Sequence, residues 1–118
     1  AIHALCDAIL GAAALGDIGR HFPDTDMKYK GINSMLLLAE VIKKTEALGY
    51  RINNADITIV AQKPKLMGYI EQMRENMSSV LKTASERVNV KATTTEKLGF
   101  EGREEGISAT AVVTIIKD

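Results

Sequence analysis

Ile52-Asn53-Asn54-Ala55-Asp56-Ile57-Thr58-Ile59-Val60-Ala61 is the stretch on which the fold turns. Ala55, Ile57, Ile59 and Ala61 fall on one side of an extended chain and Asp56, Thr58 and Val60 on the other, the period of two that marks a strand. Just downstream, Pro64 opens a segment in which Leu66, Ile70, Met73, Met77 and Leu81 recur at spacings of three and four, an apolar helical stripe. Val88 to Ala92 reads as a short strand, followed by the polar turn Thr93-Thr94-Thr95 and a helical turn around Glu96 to Leu98. Gly106 to Ile116 alternates again, with β-branched residues dense enough for both faces to be covered.

Upstream of the first strand, Ser34 is placed to cap a helix that runs to about Leu48 and stops at Gly49. Leu37, Leu38, Val41, Ile42 and Leu48 share its broad apolar face. Asp17 to Gly31 holds no sustained period and carries Gly19, Pro23, Asp24, Asp26 and Gly31, so it reads as a long loop. Ala1 to Leu15 is rich in Ala and Leu and reads as a helix ended by Gly16. The order helix, loop, helix, strand, helix, strand, strand leaves three helices to cover a thin sheet. The expected fold is therefore α/β, a single-domain two-layer sandwich over 1–118 with helices on one face of a small mixed sheet.

At 118 residues the chain has room for one modest core. Fifteen basic residues balance fifteen acidic ones, which argues against a nucleic-acid-binding surface, since phosphate backbones select a net basic footprint. A single cysteine, Cys6, cannot form an internal disulfide, so nothing points to an oxidising compartment. The longest apolar run, Ala8 to Leu15, is too short for a bilayer and is interrupted by Gly11, and no basic segment precedes it. A cytoplasmic protein without membrane contact is the expectation. Ala1 already lies inside an amphipathic pattern, from which upstream sequence, with further strands, is expected.

Several residue groups could carry chemistry. His3 and Asp7 stand one helical turn apart on the same face, which suits either a metal ligand steadied by a carboxylate or a surface ion pair. Cys6 lies three residues after His3, so a thiol–imidazole pair is conceivable; a core position for Cys6 is the stronger reading. Asp17 to Asp26 concentrates three carboxylates with an aromatic and a proline, useful for polyol hydroxyls or for turns and caps. Lys91 to Gly106 ends a strand in three threonines and Glu96, with Gly99, Gly102 and Gly106 allowing tight turns. Hydroxyls and free N–H groups there can cradle phosphate, and the carboxylate suits a hard divalent cation; a polar loop with threonine caps is the plainer alternative. No Walker loop or dinucleotide fingerprint is present.

The motifs His3-Ala4-Leu5 with Asp7-Ala8, Leu10 to Gly19, Phe22-Pro23-Asp24-Thr25-Asp26, Ala61-Gln62 with Pro64-Lys65, and Lys91 to Gly106 resemble one family across essentially the whole chain. It is the 2-C-methyl-D-erythritol 2,4-cyclodiphosphate synthase family of the non-mevalonate isoprenoid pathway. The resemblance implies a homotrimer with active sites between subunits. Its reaction converts 4-CDP-2-C-methyl-D-erythritol 2-phosphate to the 2,4-cyclodiphosphate and releases CMP. Such an intramolecular phosphoryl transfer needs positioning and charge neutralisation, with no covalent nucleophile from the protein.

Carried over residue by residue, the resemblance makes His3 one of three ligands to zinc or another divalent transition metal. Glu96 becomes a ligand to magnesium or manganese, and Thr94 the group that stabilises the transition state. Thr93 and Thr95 line the phosphate and cytidine site, and Ala61, Gln62, Lys63, Pro64, Lys65, Leu66 and Met67 hold the cytosine. Asp17, Ile18 and Gly19, with Phe22, Pro23, Asp24, Thr25 and Asp26, contact the methylerythritol hydroxyls. Phe100 and Arg103 point to an axial cavity able to take an anionic isoprenoid or phosphate. The family's Asp-x-His pair, supplying the other two zinc ligands, and a His-Ser turn both fall before Ala1, so the chain is expected to be the C-terminal part of such a synthase. Thr110 stands where some members carry an acid paired with the arginine, leaving Arg103 freer for an anion. Two rival readings are a non-catalytic trimeric cytidine-nucleotide-binding module that has lost its metal site, told apart by its lack of zinc, and a trimeric scaffold without ligand.

Overall fold

The computed structural model describes residues 1–23, 33–60, 68–93 and 108–117. Strand β1 (Tyr50–Val60) is central in a three-stranded sheet. On one side it pairs in parallel with β2 (Val88–Thr93), and on the other antiparallel with β3 (Ser108–Lys117), the mixed sheet expected from the sequence. Ile52, Ala55, Ile57 and Ile59 of β1 all face the core. The spacing of three between Ile52 and Ala55 breaks the strand period, and an irregularity between Ile52 and Asn54 restores it.

Three helices cover that face: α1 (Ile2–Ala12), α3 (Ser34–Glu46) and α4 (Ile70–Leu81), while α2 (Ile18–His21) is a single turn after α1. Helix α1 packs on β3 and α3, α4 packs on β2 and α3, and α3 lies between them over β1. Leu5, Ile9, Leu10, Leu38, Val41, Ile57 and Met77 are fully or almost fully enclosed at the centre.

The helix boundaries differ from the expected ones for identifiable reasons. Helix α1 ends at Ala12, ahead of the expected Gly16. Leu15 N–H donates to the Leu10 carbonyl at 2.8 Å and Ala14 N–H to that of Gly11 at 3.0 Å, with Ala14 at φ 57°. This hydrogen-bond pair is a Schellman stop, in which an alanine occupies the left-handed position glycine usually takes, at a cost of about 1 kcal/mol. Helix α3 is capped by Asn33, whose Oδ1 accepts from Met35 N–H at 2.8 Å; Ser34, the expected cap, is the first helical residue. Leu48 is 44% exposed and lies off the apolar face, where Thr45 is buried instead, its hydroxyl donating to the Ile42 carbonyl at 2.9 Å. Part of the expected loop after Asp17 is helical, since Asp17 Oδ1 accepts from Arg20 N–H at 2.9 Å and closes the turn α2. Pro64 and Leu66, expected to open α4, lie outside the described residues, as does the turn around Glu96.

The opposite face of the sheet carries Asp56, Thr58 and Val60 of β1, Asn89 and Lys91 of β2, and Thr110, Val112 and Thr114 of β3. No described element lies over it, and Val112 is 63% exposed. Among the described residues, the expectation that both faces of β3 are covered is therefore met on one face only. Lys91 Nζ donates to Asp56 at 2.8 Å and Asn89 Nδ2 donates to the same carboxylate at 2.9 Å.

Candidate functional site

Because β1 and β2 are parallel, their C-terminal ends lie at the same edge of the sheet. The register places Val60 opposite Thr93 on one side and opposite Ser108 on the other. Val60, the last described residue before 61–67, thus lies beside Thr93 and Ser108, the described residues on either side of 94–107. These are the two stretches in which the sequence reading placed the cytosine and phosphate groups. The outer edge at the carboxyl ends of parallel strands is the usual ligand position in α/β sheets. Of the residues expected there, Thr93 is described, as the exposed last residue of β2. Ala61 to Met67, Thr94, Thr95, Glu96, Phe100 and Arg103 lie outside the described residues.

A second group forms on α1. Its buried side carries Leu5, Cys6, Ile9 and Leu10, leaving His3 and Asp7 exposed on the opposite side. Cys6 is fully enclosed, and burial, aided by the charge of nearby Asp7, pushes its thiol up to about 12. A thiolate is thereby disfavoured at neutral pH, and the core reading of Cys6 holds against the thiol–imidazole pair. Asp7 makes a contact that spacing did not suggest: its Oδ1 accepts from Ile18 N–H at 2.8 Å. The carboxylate thus fastens the turn that contains Asp17, Ile18 and Gly19.

That turn has further internal ties. His21 Nε2 lies 2.6 Å from the Leu15 carbonyl, so this nitrogen is the protonated donor. Arg20 lies against Gly16, where an added Cβ would meet its Cδ at 3.0 Å. His21, within the stretch expected to be a loop, is thus half-buried and bonded. Phe22 joins the core at 6% exposure, with Lys44 Nζ 5.9 Å from its ring centroid, while Pro23 is exposed. Asp24, Thr25 and Asp26 lie outside the described residues.

His3 also borders a cleft of about 220 Å³ shared with Ser34, Met35, Met73 and Asn76. Its exposed imidazole can give one nitrogen to a metal. Among the described residues no three His, Cys, Asp or Glu side chains converge as a ligand set. A zinc centre with three protein ligands needs two more donors than the described residues bring to His3. Among these residues no helix is long and apolar enough to cross a membrane.

Fold and described site residues together define an α/β domain whose parallel strands β1 and β2 end at one edge of the sheet, at Val60 and Thr93. The comparisons with known proteins agree closely. The model of the YgbB family matches residues 1–116, and the chain belongs to that family. It is 63% identical over 115 residues to the 2-C-methyl-D-erythritol 2,4-cyclodiphosphate synthase of Desulfitobacterium hafniense, covering 98% of this chain and 73% of that one. The bifunctional IspDF of Campylobacter jejuni superposes with a TM-score of 0.94 at 49% identity, over 99% of this chain and 32% of that longer one. IspF of Plasmodium falciparum, solved as a CDP complex, gives 0.85 at 33% identity, over 98% of this chain and 69% of that one. The resemblance drawn from the sequence is borne out, and these matches do not favour the rival binding-module reading.

Proposed function

We propose that the chain performs the cyclodiphosphate synthase reaction of its relatives: attack of the 2-phosphate of 4-CDP-2-C-methyl-D-erythritol 2-phosphate on the β-phosphorus, closing the 2,4-cyclodiphosphate and expelling CMP. The observation that carries this reading is the 63% identity across 98% of the chain. The sheet register supports it, since it sets Val60 beside Thr93 and Ser108 at one edge of the sheet.

In this reading 61–67 holds the cytosine, and Thr93 and Thr95 receive the phosphates. Thr94 donates to the charge that builds up as the β-phosphorus is attacked, a role for which a hydroxyl near a strand end suits. Asp17, Ile18 and Gly19, with Phe22 to Asp26, hold the methylerythritol hydroxyls and keep the attacking phosphate in line. His3 supplies one ligand to zinc, and Glu96 binds magnesium or manganese. When bound, these cations neutralise phosphate charge.

The active sites lie between subunits of a homotrimer. The uncovered sheet face supports this, because Val60, Val112 and Ile116 stand on it among threonines and no described element of the chain packs over it. Thr110, exposed on that face, borders the axial cavity to which Phe100 and Arg103 are assigned, and which takes an anionic isoprenoid or phosphate.

Glu96→Gln tests the assignment most sharply. It lowers CMP release by about a hundredfold, the scale of losing one electrostatic stabiliser, while light scattering shows an unchanged assembly. Undiminished turnover in that variant removes Glu96 from the site. Failure of the unaltered protein to release CMP overturns the reaction itself.

A further inference from the structure

We infer that Asp7 is a positioning residue: it anchors the polyol-contacting turn Asp17–Gly19 to the helix that presents His3. The inference rests on the functional reading above for what that turn contacts, and on the geometry for the anchoring itself. His3 and Asp7 share the exposed face of α1 one turn apart, about 6 Å along its axis. Asp7 Oδ1 accepts from Ile18 N–H at 2.8 Å, across eleven positions of sequence. The rest of the turn is made rigid from within, by Asp17 on Arg20 N–H, by His21 on the Leu15 carbonyl and by Arg20 against Gly16. A stiff turn still needs a fixed seat. The Asp7 carboxylate provides it at the middle of α1, whose other side is locked in the core by Leu5, Cys6, Ile9 and Leu10.

One rigid helix therefore sets the separation between the His3 imidazole and the Ile18 backbone. In phosphoryl transfer without a protein nucleophile, such spacing is where rate resides, since a misplacement of about 1 Å can cost a hundredfold. Asp7 acts through the turn and touches neither substrate nor phosphate. What it contributes is an acceptor oxygen in a fixed place. Asparagine retains that oxygen, whereas alanine does not.

The test compares Asp7→Asn and Asp7→Ala in the metal-loaded assembled enzyme. Asp7→Ala raises KM for the full substrate about tenfold, the equivalent of one charge-assisted hydrogen bond, and leaves CMP affinity within about twofold because CMP lacks the polyol. Zinc content stays unchanged, and the Ile18 amide exchanges faster with solvent. Asp7→Asn restores KM to within about threefold of the unaltered protein. An unchanged KM in Asp7→Ala overturns the inference, and so does an equal loss of CMP affinity, which marks a general structural role. Equal damage in both variants also overturns it, by showing that charge and not the acceptor matters. Exchange at Ile18 decides the anchoring even if the unaltered protein makes no CMP, a result that counts against the reaction alone.

Discussion

Neighbouring residues of β1 face two different surroundings. Ile57 is completely enclosed in the core beneath the helices, while Asp56 and Thr58 beside it look onto the side of the sheet that no described element covers. The inner side is apolar throughout, with Ala55, Ile57 and Ile59 meeting Val88 and Val90 from the parallel strand. The outer side mixes an Asp56–Lys91–Asn89 cluster with an exposed Val112. Three strands thus serve two purposes. Cohesion of the chain comes from the inner face. The outer face contributes little burial among the described residues, and under the trimer reading its apolar residues acquire a role when another copy covers them.

Removing side-chain volume on the inner face should have the largest effect. Ile57→Ala deletes buried methyl groups at the centre of the sheet and should lower unfolding free energy by about 3 kcal/mol, read from denaturant midpoints at fixed protein concentration. A loss below about 1 kcal/mol would mean that the core collapses around the gap, and that the contrast between the faces is weaker than burial suggests.

On the outer face the expected result is of another kind. Val112→Lys should change the stability of the separate chain by less than about 0.5 kcal/mol, because the side chain is 63% exposed. Under the trimer reading the same change places a charge in a buried interface and should drop the solution mass to that of a monomer. An intact trimer carrying Val112→Lys would move the subunit contact off this face.

Which parts could be read from the sequence follows the range of the interactions involved. The strands β1, β2 and β3 were readable because alternation is a property of adjacent residues, and the stripe of α4 because its spacing is local. The stops were misread where two local candidates competed: Asn33 takes the cap in place of Ser34, and Ala14 takes the left-handed position two residues before Gly16. In each case the choice is made by backbone geometry that composition does not encode. The bulge after Ile52 is not read from the sequence, where the stretch is expected to alternate; it shows in the register with a partner strand about sixty residues away. The site divides in the same way. Motif runs such as Ala92 to Phe100 pointed to the family directly. The link from Asp7 to Ile18 joins residues eleven apart through a reversal of the chain and has no local signature; the spacing of His3 and Asp7 suggested a different pairing.

The smallest expected effect concerns the acid cluster of the outer face. Hydrogen bonds from Lys91 and then Asn89, reinforced by the Lys91 charge, hold the Asp56 carboxyl below its ordinary range. A depressed carboxyl favours the folded state while it is ionised. Its contribution is therefore present above the unfolded value of about 3.9 and fades as pH falls through the lower folded value. Both partners are substantially exposed, so solvent screening limits the pair to about 0.5 kcal/mol. Asp56→Asn should accordingly lie below the unaltered protein in stability at about pH 6, with the two curves converging as pH falls through the lowered folded value and the acid form takes over. A gap that stays constant down to about pH 2 would show that Asp56 acts through shape or hydrogen bonding, independent of its charge. If the gap instead grows with protein concentration at pH 6, the cluster acts across the subunit contact, and the outer face then contributes to assembly through charge as well as through Val112.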